Sequence, residues 1–270
     1  MVEATLSAAA FGSQPGCWPL PTATTPHQRW LRAVAAGGQG RYGSARGDLE
    51  ALLRCAPAGR LASLAHSTQG SFLRQLGWHT LARRWDGRAL TLADDDLEAR
   101  ADALIGLAAD ALGVGRFGAS ATLLSRVEPS AGNAVHRLAV RRSWVAAELA
   151  MATGAGATAV RHAEAAVQLA AEPVFQPVAG AASERHRVKS QMVLAAALCS
   201  VGDLDHARTV GDTAFGTAGQ LGLVPLRWAL ACLLIDIGST THPADELRAL
   251  RNSCADRVRH AGGTWARATA

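Results

Sequence analysis

Two segments of the 270-residue chain, residues 38–43 (GQGRYG) and 113–118 (GVGRFG), match the G-x-G-x-x-G spacing with which a backbone approaches a pyrophosphate at a helix amino terminus. That chemistry needs a strand before the glycines, and none is expected here. Both matches fall at the same point of a repeating helical pattern, where a turn calls for glycine anyway. The run Asp94, Asp95, Asp96 and Glu98 has the residue types of a divalent-metal site. Carboxylates also gather at helix starts, and Asp95 with Glu98 has the spacing of a capping box, which is the reading adopted. The nine histidines form no H-E-x-x-H and no serine stands in G-x-S-x-G. No catalytic, cofactor or metal site is expected, and the chain is read as a protein without enzymatic activity.

The most suggestive polar residues are basic. Arg141 and Lys189 each stand thirteen residues before a glycine, Gly154 and Gly202, and Arg137 and Arg185 stand four residues earlier on the same stretches. Residues four apart share one face of a helix, so neighbouring helices in the same register stack the four charges into a ladder. Trp144 lies ten residues before Gly154, as Trp30 and Trp228 lie ten before Gly40 and Gly238, and offers the ladder an apolar wall. Arg137, Arg141, Trp144, Arg185 and Lys189 are the candidate partner-binding residues, suited to an acidic or carboxylate-terminated segment. The competing reading is that long basic side chains simply solvate a helix face.

What must position these residues is a repeat. Gly40, Gly77, Gly115, Gly154 and Gly202 follow one another at spacings of 37, 38, 39 and 48 residues, and Gly238 anchors a sixth set. Seven residues before the six glycines stand Ala33, Gly70, Ala108, Ala147, Ala195 and Ala231. Five after the first five stand Ala45, Ala82, Ser120, Ala159 and Ala207, and seven further on Leu52, Ala89, Val127, Ala166 and Ala214. Small residues at constant offsets mark places where two helix backbones come close, and the glycine marks a left-handed turn between them. First helices are expected over 27–37, 58–76, 96–112, 134–153, 184–200 and 223–237. Second helices are expected over 43–55, 79–92, 117–127, 157–171, 204–219 and 243–260. Pro173 and Pro177 make residues 172–183 a linker, which accounts for the long fourth spacing. In the last helix Leu247, Leu250, Cys254 and Val258 form one apolar stripe, with Ala255 on the solvent side, as a terminal cap requires.

In these small-residue columns, and in Tyr42 and Phe117 two residues past their glycines, the chain resembles the tetratricopeptide repeat family over residues 27–261. The resemblance implies an all-α fold, a right-handed α-solenoid of about six antiparallel helix hairpins, whose first helices line a concave surface that holds peptides. Residues 1–26 are then a flexible amino-terminal tail and residues 262–270 a carboxy-terminal tail.

Composition agrees with helix: Ala, Leu and Arg abound and aromatic residues make up 5%. The net charge of +5 comes almost wholly from arginine, Lys189 being the only lysine, and is weak evidence for a nucleic-acid partner. Cys17, Cys55, Cys199, Cys232 and Cys254 are odd in number and form no C-x-x-C pair, which fits reduced thiols in the cytoplasm, those of Cys199 and Cys232 buried. Glu3 makes the amino terminus a poor signal peptide, and no uncharged apolar run reaches membrane-spanning length. The expectation is a cytoplasmic scaffold, adaptor or regulatory module that binds a protein or peptide segment. A regulator or sensor acting with nucleic acid or the transcription machinery through basic helices is the alternative.

Overall fold

The computed structural model describes residues 1–127, 133–172 and 182–266, and all thirteen regular elements among them are helices. They are α1 (Val2–Phe11), α2 (Pro26–Gly38), α3 (Tyr42–Cys55), α4 (Gly59–Gln75), α5 (His79–Leu92), α6 (Leu97–Gly113), α7 (Phe117–Ser125), α8 (Asn133–Ala152), α9 (Gly156–Ala171), α10 (Glu184–Ser200), α11 (Leu204–Gln220), α12 (Val224–Ile237) and α13 (Ala244–His260). From α2 onward every boundary falls within two residues of its expected place. No helix of the described residues is long and apolar enough to cross a membrane. Pro173 and Pro177 of the expected linker lie outside the described residues.

The agreement has a local cause. Gly40, Gly77, Gly115, Gly154, Gly202 and Gly238 all have φ between 73° and 87°, a region that side chains avoid. After the first five, the next N–H turns back to the carbonyl five residues earlier, at 2.8 to 3.1 Å, and so satisfies the end of the first helix. The second helix then returns along the first, giving the pairs α2/α3, α4/α5, α6/α7, α8/α9, α10/α11 and α12/α13. The first helices α2, α4, α6, α8, α10 and α12 also pack on one another in order. At these crossings lie the small columns: Ala33, Ala108, Ala147, Ala195 and Ala231 are wholly buried, as are Ala45, Ala82, Ser120, Ala159 and Ala207. Of the third column only Val127 keeps partial exposure.

Gly70 belongs to the first column for a further reason. The carboxylate of Asp86 on α5 fills the space that a Cβ at Gly70 or Gly106 would occupy. There Asp86 meets Arg74 of α4, whose guanidinium also donates to Asp110 of α6 at 3.0 Å. Three adjoining helices are thus tied by one buried ionic group.

Several expectations are corrected. Residues 1–26 are not a flexible tail: α1 packs against α2 and α10, and its Leu6, Ala9 and Ala10 belong to the core. A helix with three buried apolar residues holds itself in place by removing them from water. The last helix keeps Arg248, Arg257 and Arg259 exposed as a cap would, but its apolar stripe does not simply end the array. Cys254 and Val258 of α13 share a core with Leu31, Val34 and Tyr42 of the first hairpin, so the array closes on its own beginning. The Gly43 N–H, unpaired within α3 because it lies in the first turn, donates to Ala261 O at 2.8 Å. Residues 262–266 continue this seam: Trp78 donates to Thr264 O at 2.7 Å, Ala266 N to Leu76 O at 2.7 Å, and Trp265 lies on Trp228 with centroids 4.2 Å apart. Ala255 is buried beneath Trp265 and does not face solvent. Finally, Asp96 rather than Asp95 caps α6, accepting from Ala99 N at 2.8 Å. Glu98 turns away from the cap toward arginines. The five thiols are free; Cys254 is buried, whereas Cys199 and Cys232 are half-buried.

Candidate binding site on the inner face

The first helices bring the five candidate residues to one face of the array, but not as an open basic surface. Arg137 donates to Asp102 at 2.9 Å and to Glu98 at 3.1 Å, and Arg141 pairs with the same Asp102. Lys189 donates to Glu148 at 3.0 Å. Arg185 alone of the four cations has no carboxylate partner among the described residues; its guanidinium donates to Val34 O at 3.3 Å. Trp144 Nε1 donates to Ser190 Oγ at 2.8 Å, tying α8 to α10, as Trp30 Nε1 ties α2 to Thr68 of α4 at 3.1 Å.

The counter-charges were legible in the repeat register. Glu98 and Asp102 stand seventeen and thirteen residues before Gly115, the offsets that Arg137 and Arg141 have before Gly154; Arg60 stands seventeen before Gly77. Along that column the sign alternates from α4 to α6 to α8, and the structure pairs Arg60 with Glu98 and Glu98 with Arg137. Residues at equal offsets on adjacent first helices lie side by side, so opposite signs there become ion pairs between helices.

What sequence reasoning missed altogether is the occupant of the face. Phe11, the last residue of α1, lies near the guanidiniums of Arg137 and Arg185, 5.5 Å and 5.9 Å from its ring centre. Other rings adjoin it. Trp30 lies 5.4 Å from Phe11 and His186 lies stacked at 6.3 Å, with Trp144 5.3 Å from His186. The carbonyl of Gly12, just past the end of α1, accepts from Glu184 N at the start of α10, at 3.2 Å. The electronegative end of one helix is therefore seated on the electropositive end of another, beside two arginines. The sequence puts Phe11 in an amino-terminal tail because nothing in its local pattern shows what it touches.

Burial shapes the charges. It lowers the Arg141 guanidinium to about 10, with Arg74 adding repulsion, and Arg185 to about 10, with Arg137 adding repulsion. Both remain cations at neutral pH. Burial and the same arginines drive His186 far below its usual range, so it stacks as a neutral ring. Glu98 is opposed by burial but held below the ordinary carboxylate range by Arg137 and Arg60. No group of three or more His, Cys, Asp or Glu side chains among the described residues is placed to hold a metal ion.

These features define an all-helical, repeat-like chain whose first helices bring paired charges and aromatic rings to one face. No family model matches it, and no curated protein matches it.

Proposed function

We propose that the chain is a tetratricopeptide-like binding module without chemistry of its own, whose inner face takes a helical segment of a partner protein and holds α1 when that partner is absent. The observation that carries this reading is the docking of α1: the face already accommodates a helix, with an aromatic anchor against Arg137 and Arg185 and a terminal carbonyl on the amino terminus of α10. A partner of the same chemistry ends in a carboxylate or acidic residue after an aromatic one. Its carboxylate would meet Arg185, the cation without a carboxylate of its own, and Trp144 and Lys189 would extend the contact. An amphipathic helix laid into an apolar groove is a recurrent mode of peptide recognition.

The test uses the full chain and a labelled synthetic peptide of residues 1–14 with a free carboxylate. In the wild-type protein α1 competes at very high effective concentration, so the peptide fails to bind. In the Phe11→Ala variant the anchor is gone and the peptide binds saturably. If Phe11→Ala frees α1, as judged by proteolysis, and still takes no peptide, the reading is wrong.

A further inference from the structure

The hairpin turns form one edge of the array, and the chain covers the beginning of that edge itself. Tyr42, two residues past Gly40, is wholly buried; Gly263 lies over its ring and the neighbouring Gly43 donates to Ala261 O. Leu76, one residue before Gly77, is buried and accepts from Ala266 N. From the third turn onward the same offsets are bare. Val114 and Phe117 flank Gly115, Val201 and Leu204 flank Gly202, and each of the four is 37% to 46% exposed. Large apolar side chains left in water singly are ordinary, but two equivalent pairs in one register are not such scatter.

The turn between the two pairs is small. Around Gly154 stand Thr153, Ala155 and Gly156, and Val201 fills the space that a Cβ at Gly156 would need, so the fourth and fifth turns adjoin. The third and fourth adjoin through the packing of α7 on α8. Charge follows the same order. One residue past each glycine stand Arg116, Ala155 and Asp203. Arg116 is exposed. Asp203 occupies the amino-terminal cap of α11 without making the capping bond, and faces His206 at 3.6 Å, beyond hydrogen-bonding distance.

We propose that this edge joins two copies of the chain about a two-fold axis through the Gly154 turn. Such an axis reverses the order of the turns, so the third turn of one copy lies on the fifth turn of the other. Val114 and Phe117 then meet Val201 and Leu204, Arg116 meets Asp203, and each contact is made twice. The small residues on the axis let the edges approach closely. An axis at the third turn would set Arg116 against its own copy, and one at the fifth would do the same to Asp203. Because α1 sits at the other end of α10, with Gly12 O on Glu184 N, the contact does not depend on the peptide-binding reading.

The test is sedimentation velocity of the full chain from about 1 μM to about 200 μM, a range that spans weak association. A dimer that forms within or below this range, with nothing larger, is expected. Arg116→Asp and Asp203→Arg should each weaken it at least about tenfold, since each sets like charges against one another twice. The two substitutions in one chain reverse the pair and should restore the affinity. Phe117→Asp should leave a monomer throughout, with unchanged helical circular dichroism. A wild-type monomer at every concentration, species larger than a dimer, a dimeric Phe117→Asp, or charge reversals that weaken nothing or fail to rescue one another would each overturn the assignment.

Discussion

The ring of Phe11 lies stacked on that of His186, 6.3 Å between centres and 6° between planes. One residue closes α1, the other lies in the first turn of α10, and more than half the chain separates them. This contact makes the amino-terminal segment part of the folded array.

Removing the Phe11 ring should release α1. Truncating a half-buried aromatic costs roughly 1 to 3 kcal/mol, below the roughly 3 to 5 kcal/mol of a fully enclosed ring. Phe11→Ala is expected to lower the melting temperature and to make the bonds of residues 12–25 sensitive to protease while the remaining hairpins stay protected. Uniform protection in both proteins would show that Leu6, Ala9 and Ala10 hold the helix without it.

The two ends of the ladder should behave differently. Arg141 and Asp102 are 16% and 6% exposed, so Arg141→Ala leaves a buried carboxylate with Arg137 alone, at a cost of about 2 to 3 kcal/mol. Lys189 and Glu148 are more open, at 24% and 33%, and Lys189→Ala should cost about 0 to 1 kcal/mol. Denaturant melts of the two variants decide this, and equal losses would contradict it.

Asp110 should make stability depend on pH. Burial first, then the neighbouring Asp86 charge, raise its carboxyl to about 7 against the pull of Arg74. A carboxyl raised in the folded state keeps its proton where the unfolded chain has released it. Folding then takes up protons, and stability falls as pH rises from the ordinary carboxylate range to about 7, then levels off. Asp110→Asn removes the titrating group. Thermal melts between about pH 5 and about pH 8 should show a flatter profile for the variant, with a melting temperature at the upper end no lower than wild type. An unchanged slope would place the titration elsewhere.

The small columns admit no added methylenes. Ala147→Leu and Ala195→Leu, both at wholly buried crossings, should each destabilise by roughly 1 to 3 kcal/mol. Ala249→Leu, on the exposed face of α13, should change little. Equal shifts of the thermal midpoint in all three would mean that the crossings are loosely packed.

The sequence alone determined where the twelve repeat helices begin and end. Left-handed glycines, helix-closing carbonyls and small residues at crossings act within a few residues or between adjacent hairpins, and a column such as Ala33, Gly70, Ala108, Ala147 and Ala195 reports them directly. The pairing of Glu98 and Asp102 with Arg137 and Arg141 was within reach, because it too is a contact between neighbours in register. Only the tertiary structure decided that Cys254 and Val258 join the core of the first hairpin, that residues 262–266 seal the seam, and that Phe11 lies against Arg137 and Arg185. Those contacts depend on how far each hairpin turns relative to the last, summed around the whole array. An apolar stripe states that it will be buried and leaves to that accumulated geometry the choice of what buries it.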